Sequence, residues 1–181
     1  MVKVELEDLP YMSLINILYA EAAAAFEHLT LSGDDDTLTW QDDGAWPNTF
    51  RKARFLSAVD HVQLDRLRYL TMKSLDKVFS EVDVLVGPFD NGPGPLLVAT
   101  NFTGHPCLHI RAGFDELSSR GEASLSNGKL STGEAGQGKQ FRVPHGVSLW
   151  GKLFEEGKIL NVGMALEEKL NVWKARPPLS N

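Results

Sequence analysis

Residues 83–88 read Asp-Val-Leu-Val-Gly-Pro, an unbroken β-branched and leucine run stopped by Gly87 and Pro88. A run without polar alternation suits a strand buried on both faces, as in a sheet covered by helices on either side. The flanking text fits that reading. Upstream, residues 57–83 (SAVDHVQLDRLRYLTMKSLDKVFSEVD) begin with Ser57 three positions before Asp60, where a hydroxyl and a carboxylate can satisfy the free amides of a helix start. A long amphipathic helix is predicted, with Val59, Val62, Leu67, Leu70 and Val78 near its core face. Downstream, CLHI at 107–110 and GVSLWG at 146–151 are two further short strands bounded by Gly or Pro. Helix and strand alternate without an internal repeat, so the class is α/β.

Working outward, VKVEL at 2–6 alternates apolar and polar and predicts a strand ended by Pro10. Residues 12–28 (MSLINILYAEAAAAFEH) predict a helix from Ala, Leu and Glu content and from the spacing of Leu14, Ile17, Leu18, Ala22, Ala25 and Phe26. Residues 32–47 (SGDDDTLTWQDDGAWP) predict a solvated acidic loop, because their aspartates lack the Gly and closing Glu of a calcium loop. A polar Gly/Ser-rich excursion covers about 115–141, with SNGK as a hairpin turn. The tail from Phe154 predicts a helix carrying Ile159, Val162, Leu166, Leu170 and Trp173, with a Pro pair after its end.

The chain has 181 residues, 43% hydrophobic and 23% charged, which fits one globular domain spanning 1–181. A net charge of −6 repels phosphate backbones and argues against nucleic acid as partner. A single cysteine, Cys107, rules out an internal disulfide and suggests a reducing, cytoplasmic setting. No basic region leads into a long apolar core, and no apolar stretch suits a membrane span.

Three constellations could carry chemistry. His105, Cys107 and His109 alternate and would share one face of an extended strand, a pattern that three ligands of a borderline metal could use. Pro106 interrupts that strand and no fourth ligand sits at a familiar spacing, so loop and strand positions are the preferred reading, with no metal or other cofactor expected. Cys107 as a nucleophile is disfavoured by its apolar strand. Ser118, Ser119 and Lys129 mimic a serine–lysine pair but lie where no rigid element supports them. Arg66 and Arg68 are two apart on a helix and point in different directions, with surface ion pairs to Asp60, Asp65 or Asp76 as the plain alternative.

Taken in order, SAVDHVQLDRLR at 57–68, VDVLVGP at 82–88, NFTGHP at 101–106, Gly113 with Phe114, and PHGVSLWGKLFEE at 144–156 resemble the C-terminal part of the amidase signature family. That family includes bacterial amidases and the amidase component of glutamyl-tRNA amidotransferase. LPYMSLINILYAEAAAAFEHL at 9–29 resembles the segment that precedes this part, so the resemblance covers nearly the whole chain. It implies an α/β/α layered fold with a mixed central sheet, and hydrolysis of a carboxamide C–N bond by a Ser-Ser-Lys mechanism. The Gly/Ser-rich signature that would supply those groups, of the GSSGG type, does not occur in these residues. The resemblance therefore implies a C-terminal fragment, inactive alone, whose partners are a small amide substrate and an N-terminal half, with uncovered apolar faces favouring self-association. A non-enzymatic binding or assembly module derived from such a half is the alternative. On this resemblance no catalytic residue falls in the chain, and Arg68 matches the arginine that binds a substrate carboxylate in the amidotransferase branch. His61, Leu64 and Arg111 depart from the family pattern.

Overall fold

A 24-residue helix, α4 (Ala58–Glu81), organises the fold. Its first turn is closed as predicted. Ser57 Oγ accepts from the Asp60 amide at 3.0 Å and donates to Asp60 Oδ2 at 2.7 Å. Burial is confined to its second half, where Thr71, Ser74, Leu75, Val78 and Phe79 form one stripe. Val59, Val62 and Leu70, expected in the core, are 68%, 52% and 48% exposed. The apolar spacing was right for a helix, and Leu67, with Leu64, packs against Leu14, Ile17 and Val98, but Val59, Val62 and Leu70 stay largely exposed.

The computed structural model describes residues 1–88, 94–117, 123–126, 129–132 and 141–176. After α4 the chain runs through β1 (Val84–Pro88), α5 (Pro95–Thr103), β2 (Cys107–Leu117), β3 (Ala123–Ser126), β4 (Lys129–Thr132), β5 (Phe141–Gly151) and α6 (Glu156–Leu170). The main sheet has the order β1-β5-β2, and both of its pairings are antiparallel. The mixed sheet implied by the resemblance is therefore not seen among the described residues, where every ladder is antiparallel.

Successive residues on the strands face opposite helical layers. Leu85, Trp150 and Cys107 point to a core that they share with Tyr11, Leu75, Val78, Phe79 and Ala99. Leu108 and Leu149 face the other way, onto α6, where a Cβ at Gly163 would overlap the Leu108 side chain. Helices thus cover both faces, and α/β is the class. β1 nevertheless corrects the reading of its sequence. It is an edge strand in which Leu85 is buried and Val86 is 51% exposed, so one face is covered rather than two.

Other expectations change as well. Residues 1–10 form no strand, although Val4 and Leu6 pack against the core as their alternation implied; among the described residues they have no ladder partner. The predicted 12–28 helix is a 3-10 turn at Tyr11–Leu14, then α1 (Ile15–Ala25) and α2 (Glu27–Ser32), divided at Phe26. The acidic loop contains a 3-10 turn at Asp34–Thr37 and leads into α3 (Trp46–Ala53), with Pro47 in its first turn. Its Asp35 is not solvated but 1% exposed, 2.8 Å from Arg51 Nη2 of α3. Within the polar excursion β3 and β4 pair antiparallel with Ser126 opposite Lys129, as a hairpin at SNGK requires. Residues 127 and 128 of that turn, Ser118, Ser119 and the closing Pro pair lie outside the described residues.

Candidate functional site

The NFTGHP stretch is the end of α5 and its cap. Gly104 adopts a left-handed φ of 81°. Its amide reaches Asn101 O at 3.3 Å while the His105 amide reaches Thr100 O at 3.0 Å. This pair of bonds is the Schellman closure, which needs a residue tolerant of positive φ at Gly104, and a proline soon after prevents the helix from continuing. Pro106 then starts the chain toward β2, its carbonyl accepting from the Gly151 amide at 3.1 Å and tying the cap to the end of β5.

The cap holds His105 in one orientation. Its ring stacks on Phe79 of α4 at 4.9 Å between centroids and 15° between planes. Nδ1 lies 2.7 Å from Thr103 Oγ1. The Thr103 hydroxyl has one proton, and its Oγ1 is 2.8 Å from Ala99 O and 3.2 Å from Thr100 O. A hydroxyl that donates to helix carbonyls must accept from the ring, so the network assigns the proton of neutral His105 to Nδ1 and leaves the lone pair on Nε2. Burial pushes the imidazole below the ordinary histidine range, and the charge of Asp76 draws it part of the way back. The ring is therefore a neutral acceptor near pH 7.

His105 lines a cleft of about 570 Å³. One wall is α4, with Met72, Lys73, Asp76 and Phe79; the other is the β5–α6 link, with Lys152 and Leu153. Glu155, also at this cleft, is held by Lys158, whose Nζ lies 2.7 Å from Glu155 Oε2 and 2.9 Å from Asp83 Oδ1. Those two carboxylates raise the Lys158 ammonium above its ordinary range, and the same lysine lowers Asp83. Sequence reasoning did not single out the α4 residues here. Their signal was present as helical spacing, since 72, 73, 76 and 79 fall on adjacent turns of one face.

Arg68 is not among the residues lining this cleft. It lies four residues before Met72, about 6 Å along the axis, and its Nη2 is 2.6 Å from Asp65 Oδ1, the surface ion pair foreseen for it. His105, Cys107 and His109 do not converge. Among the described residues no group of three metal-ligating side chains comes together. Cys107 Sγ lies 3.7 Å from His109 Nε2 and 3.9 Å from Nδ1, so it sits over the ring rather than in line with either nitrogen. His109 Nδ1 instead meets the buried Ser148 Oγ at 2.7 Å. Burial raises the Cys107 thiol, which opposes thiolate formation. Arg111, a departure from the family pattern, has found a use: its Nη2 donates to the carbonyls of Val172, Trp173 and Ala175 at 2.8, 2.9 and 3.1 Å and fastens the segment after α6 to β2. Among the described residues no helix is long and apolar enough to cross a membrane.

No family model matches the chain. It is similar to the A subunit of glutamyl-tRNA(Gln) amidotransferase from Rippkaea orientalis, 29% identical over 136 residues, which cover 66% of this chain and 23% of that protein. The protein of the same name from Prochlorococcus marinus is 26% identical over 129 residues, covering 62% of this chain and 22% of the relative. The structure of an amidase family protein from Bacillus anthracis superposes with a TM-score of 0.49 and 20% identity over 75% of this chain and 21% of the other. The chain thus spans less than a quarter of the length of the curated relatives it matches. The resemblance carried by its ordered motifs is borne out in sequence by this similarity to amidotransferase A subunits.

Proposed function

We propose that these residues form the C-terminal portion of an amidase signature amidohydrolase, a cytoplasmic enzyme that cleaves a carboxamide C–N bond. The observation that carries this reading is the ordered set of motifs from 57 to 156, together with similarity to amidotransferase A subunits over as many as 136 residues. Amide cleavage of this kind needs an activated nucleophile and oxyanion donors within hydrogen-bond reach. A Gly/Ser-rich serine signature is absent from residues 1–181, so in this proposal the Ser-Ser-Lys groups come from outside this sequence and the 181 residues alone do not turn over an amide. Within the proposal Arg68 binds a substrate carboxylate. Its planar guanidinium suits a carboxylate fork, and it already pairs with the Asp65 carboxylate at 2.6 Å. The exposed Val59 and Val62 of α4 are where the remaining part of the enzyme, or a second copy, would be seated.

Ammonia release is the test. The purified chain should release none from glutamine or simple aliphatic amides, and should do so when combined with the N-terminal three quarters of the Rippkaea orientalis relative. Hydrolysis by the chain alone would overturn the proposal, because it would require a nucleophile other than the serine signature that these residues lack. Lack of hydrolysis in a stably formed complex would favour the second reading, a non-enzymatic assembly module, which the missing serine signature motivates.

A further inference from the structure

We propose that the cleft between α4, the α5 cap and residues 152–155 binds a small organic anion that also carries a hydrogen-bond donor, its charge on Lys73 and Lys152 and its donor on His105 Nε2. Binding here goes beyond the amidase reading, since it needs neither the serine signature nor any cleavage.

Three observations converge. Charge comes first. Lys73 and Lys152 line the cleft, and neither forms an ion pair among the described residues; Lys73 lies 5.8 Å from the Tyr69 ring and Lys152 acts on Asp83 only through a weak charge effect. Of the two acids lining it, Glu155 is held by Lys158, which it shares with Asp83, so neither Lys73 nor Lys152 is committed to it. The cleft therefore favours an anion. Hydrogen bonding comes second. Thr103 and Phe79 fix the His105 ring so that its remaining nitrogen is an acceptor, which a ligand hydroxyl or ammonium can satisfy and a bare anion cannot. Size comes third. About 570 Å³ lies within the range of small-molecule sites, and Met72, Phe79 and Leu153 give it apolar walls against which a short carbon chain can rest. A hydroxy- or amino-carboxylate meets all three conditions.

The probe pair is malate and succinate, two dicarboxylates that differ by one hydroxyl, titrated into the chain while amide and histidine ring resonances are followed by NMR. Malate at millimolar concentration should move the amides of Gly104, His105, Lys152 and Leu153 together with the His105 Nε2 resonance. Succinate should bind about fivefold more weakly, the usual worth of one hydrogen bond. Lys73→Met and Lys152→Met should each weaken malate severalfold, and His105→Phe, which keeps the stack on Phe79, should erase the difference between the two acids. If His105→Phe does not fold, the wild-type ring decides, because Nε2 must shift with malate and not with succinate. Unmoved cleft amides, equal affinities for the two acids, or malate binding unchanged in the lysine variants would overturn the proposal. None of these outcomes depends on amide hydrolysis, so this site and the amidase reading can fail separately.

Discussion

Replacing Thr103 by valine is the sharpest probe of how the cap presents His105. Thr103 is 7% exposed and its Oγ1 lies between the Ala99 carbonyl at 2.8 Å and the ring Nδ1 at 2.7 Å. Valine matches the shape and removes the polar atom. The Ala99 carbonyl keeps its place in the helix ladder, so its loss is small, whereas the half-buried Nδ1–H loses its acceptor. An unmet donor at such a site costs about 1–2 kcal/mol. With a denaturant dependence of about 2 kcal/mol per molar urea, that lowers the unfolding midpoint by roughly 0.7 M. The ring has one escape, which is to move its proton to Nε2, and the assay can see it. A long-range proton–nitrogen correlation spectrum should show the Nδ1–H form in the parent and a shift toward the Nε2–H form in the variant. Thr103→Ser keeps the hydroxyl and should hold both the midpoint and the tautomer close to the parent. Equal losses for serine and valine, with the ring unchanged, would refute the hydrogen-bond argument and leave only packing.

Acidification should test the same ring by linkage. Its folded pKa is depressed, so between that value and the ordinary 6.5 the unfolded chain binds more protons; stability rises with pH through this window and is lost as pH falls. Asp76→Asn removes the charge that partly restores the imidazole and should steepen the acid loss in urea titrations, while His105→Gln should flatten it; an unchanged profile in both variants counts against the assignment. The Asp35–Arg51 pair should respond unequally to the loss of either partner. Arg51→Met strands a carboxylate that is 1% exposed and should cost about 3 kcal/mol. Asp35→Asn leaves Arg51 with Asp36 at 2.6 Å and should cost about 1 kcal/mol, so equal losses on urea unfolding would exclude the asymmetry. In α6, Gly163→Ala forces a Cβ into Leu108 and should destabilise by about 1–3 kcal/mol. Gly157→Ala meets nothing within 4 Å and should be neutral or stabilising by up to about 1 kcal/mol; thermal shifts of the same sign for the two would contradict the packing of this helix.

What the sequence made legible follows from which interactions are local. The start of α4 was readable because Ser57 and Asp60 satisfy each other within one turn. α5 itself was not foreseen, although the turn that ends it depends on Gly104 and Pro106 acting on their own backbone. Burial was not readable. DVLVGP has the composition of a strand covered on two faces, yet Val86 is half exposed because β1 ends the sheet, and edge position is a property of strand order that six residues do not encode. The same holds for residues 2–6. Their alternation does set Val4 and Leu6 inward, but a strand also needs a neighbour, and none among the described residues pairs with them. Asp35 shows the reverse error. An aspartate among glycines and other aspartates reads as solvated, and only the return of Arg51 sixteen residues later gives it a partner in the interior.

The candidate site divides along the same line. NFTGHP stood out through His105, for which a metal ligand and a loop position before a strand were both compatible with the letters. The loop reading was correct for the backbone, since Gly104 and Pro106 do what their conformational limits require. It was incomplete for the side chain. The Schellman closure is what brings Thr103 Oγ1 within 2.7 Å of Nδ1, and the packing of α5 on α4 is what puts Phe79 under the ring. A local cap and a distant helix together fix a tautomer that neither specifies alone. Such coupling explains why a residue can be structural in its backbone role and still offer a defined acceptor to a cleft. It also gives Arg68 and His105 different standing: Arg68 rests on correspondence with a family and pairs with Asp65 on the surface, whereas His105 rests on a geometry that a single hydroxyl deletion can break.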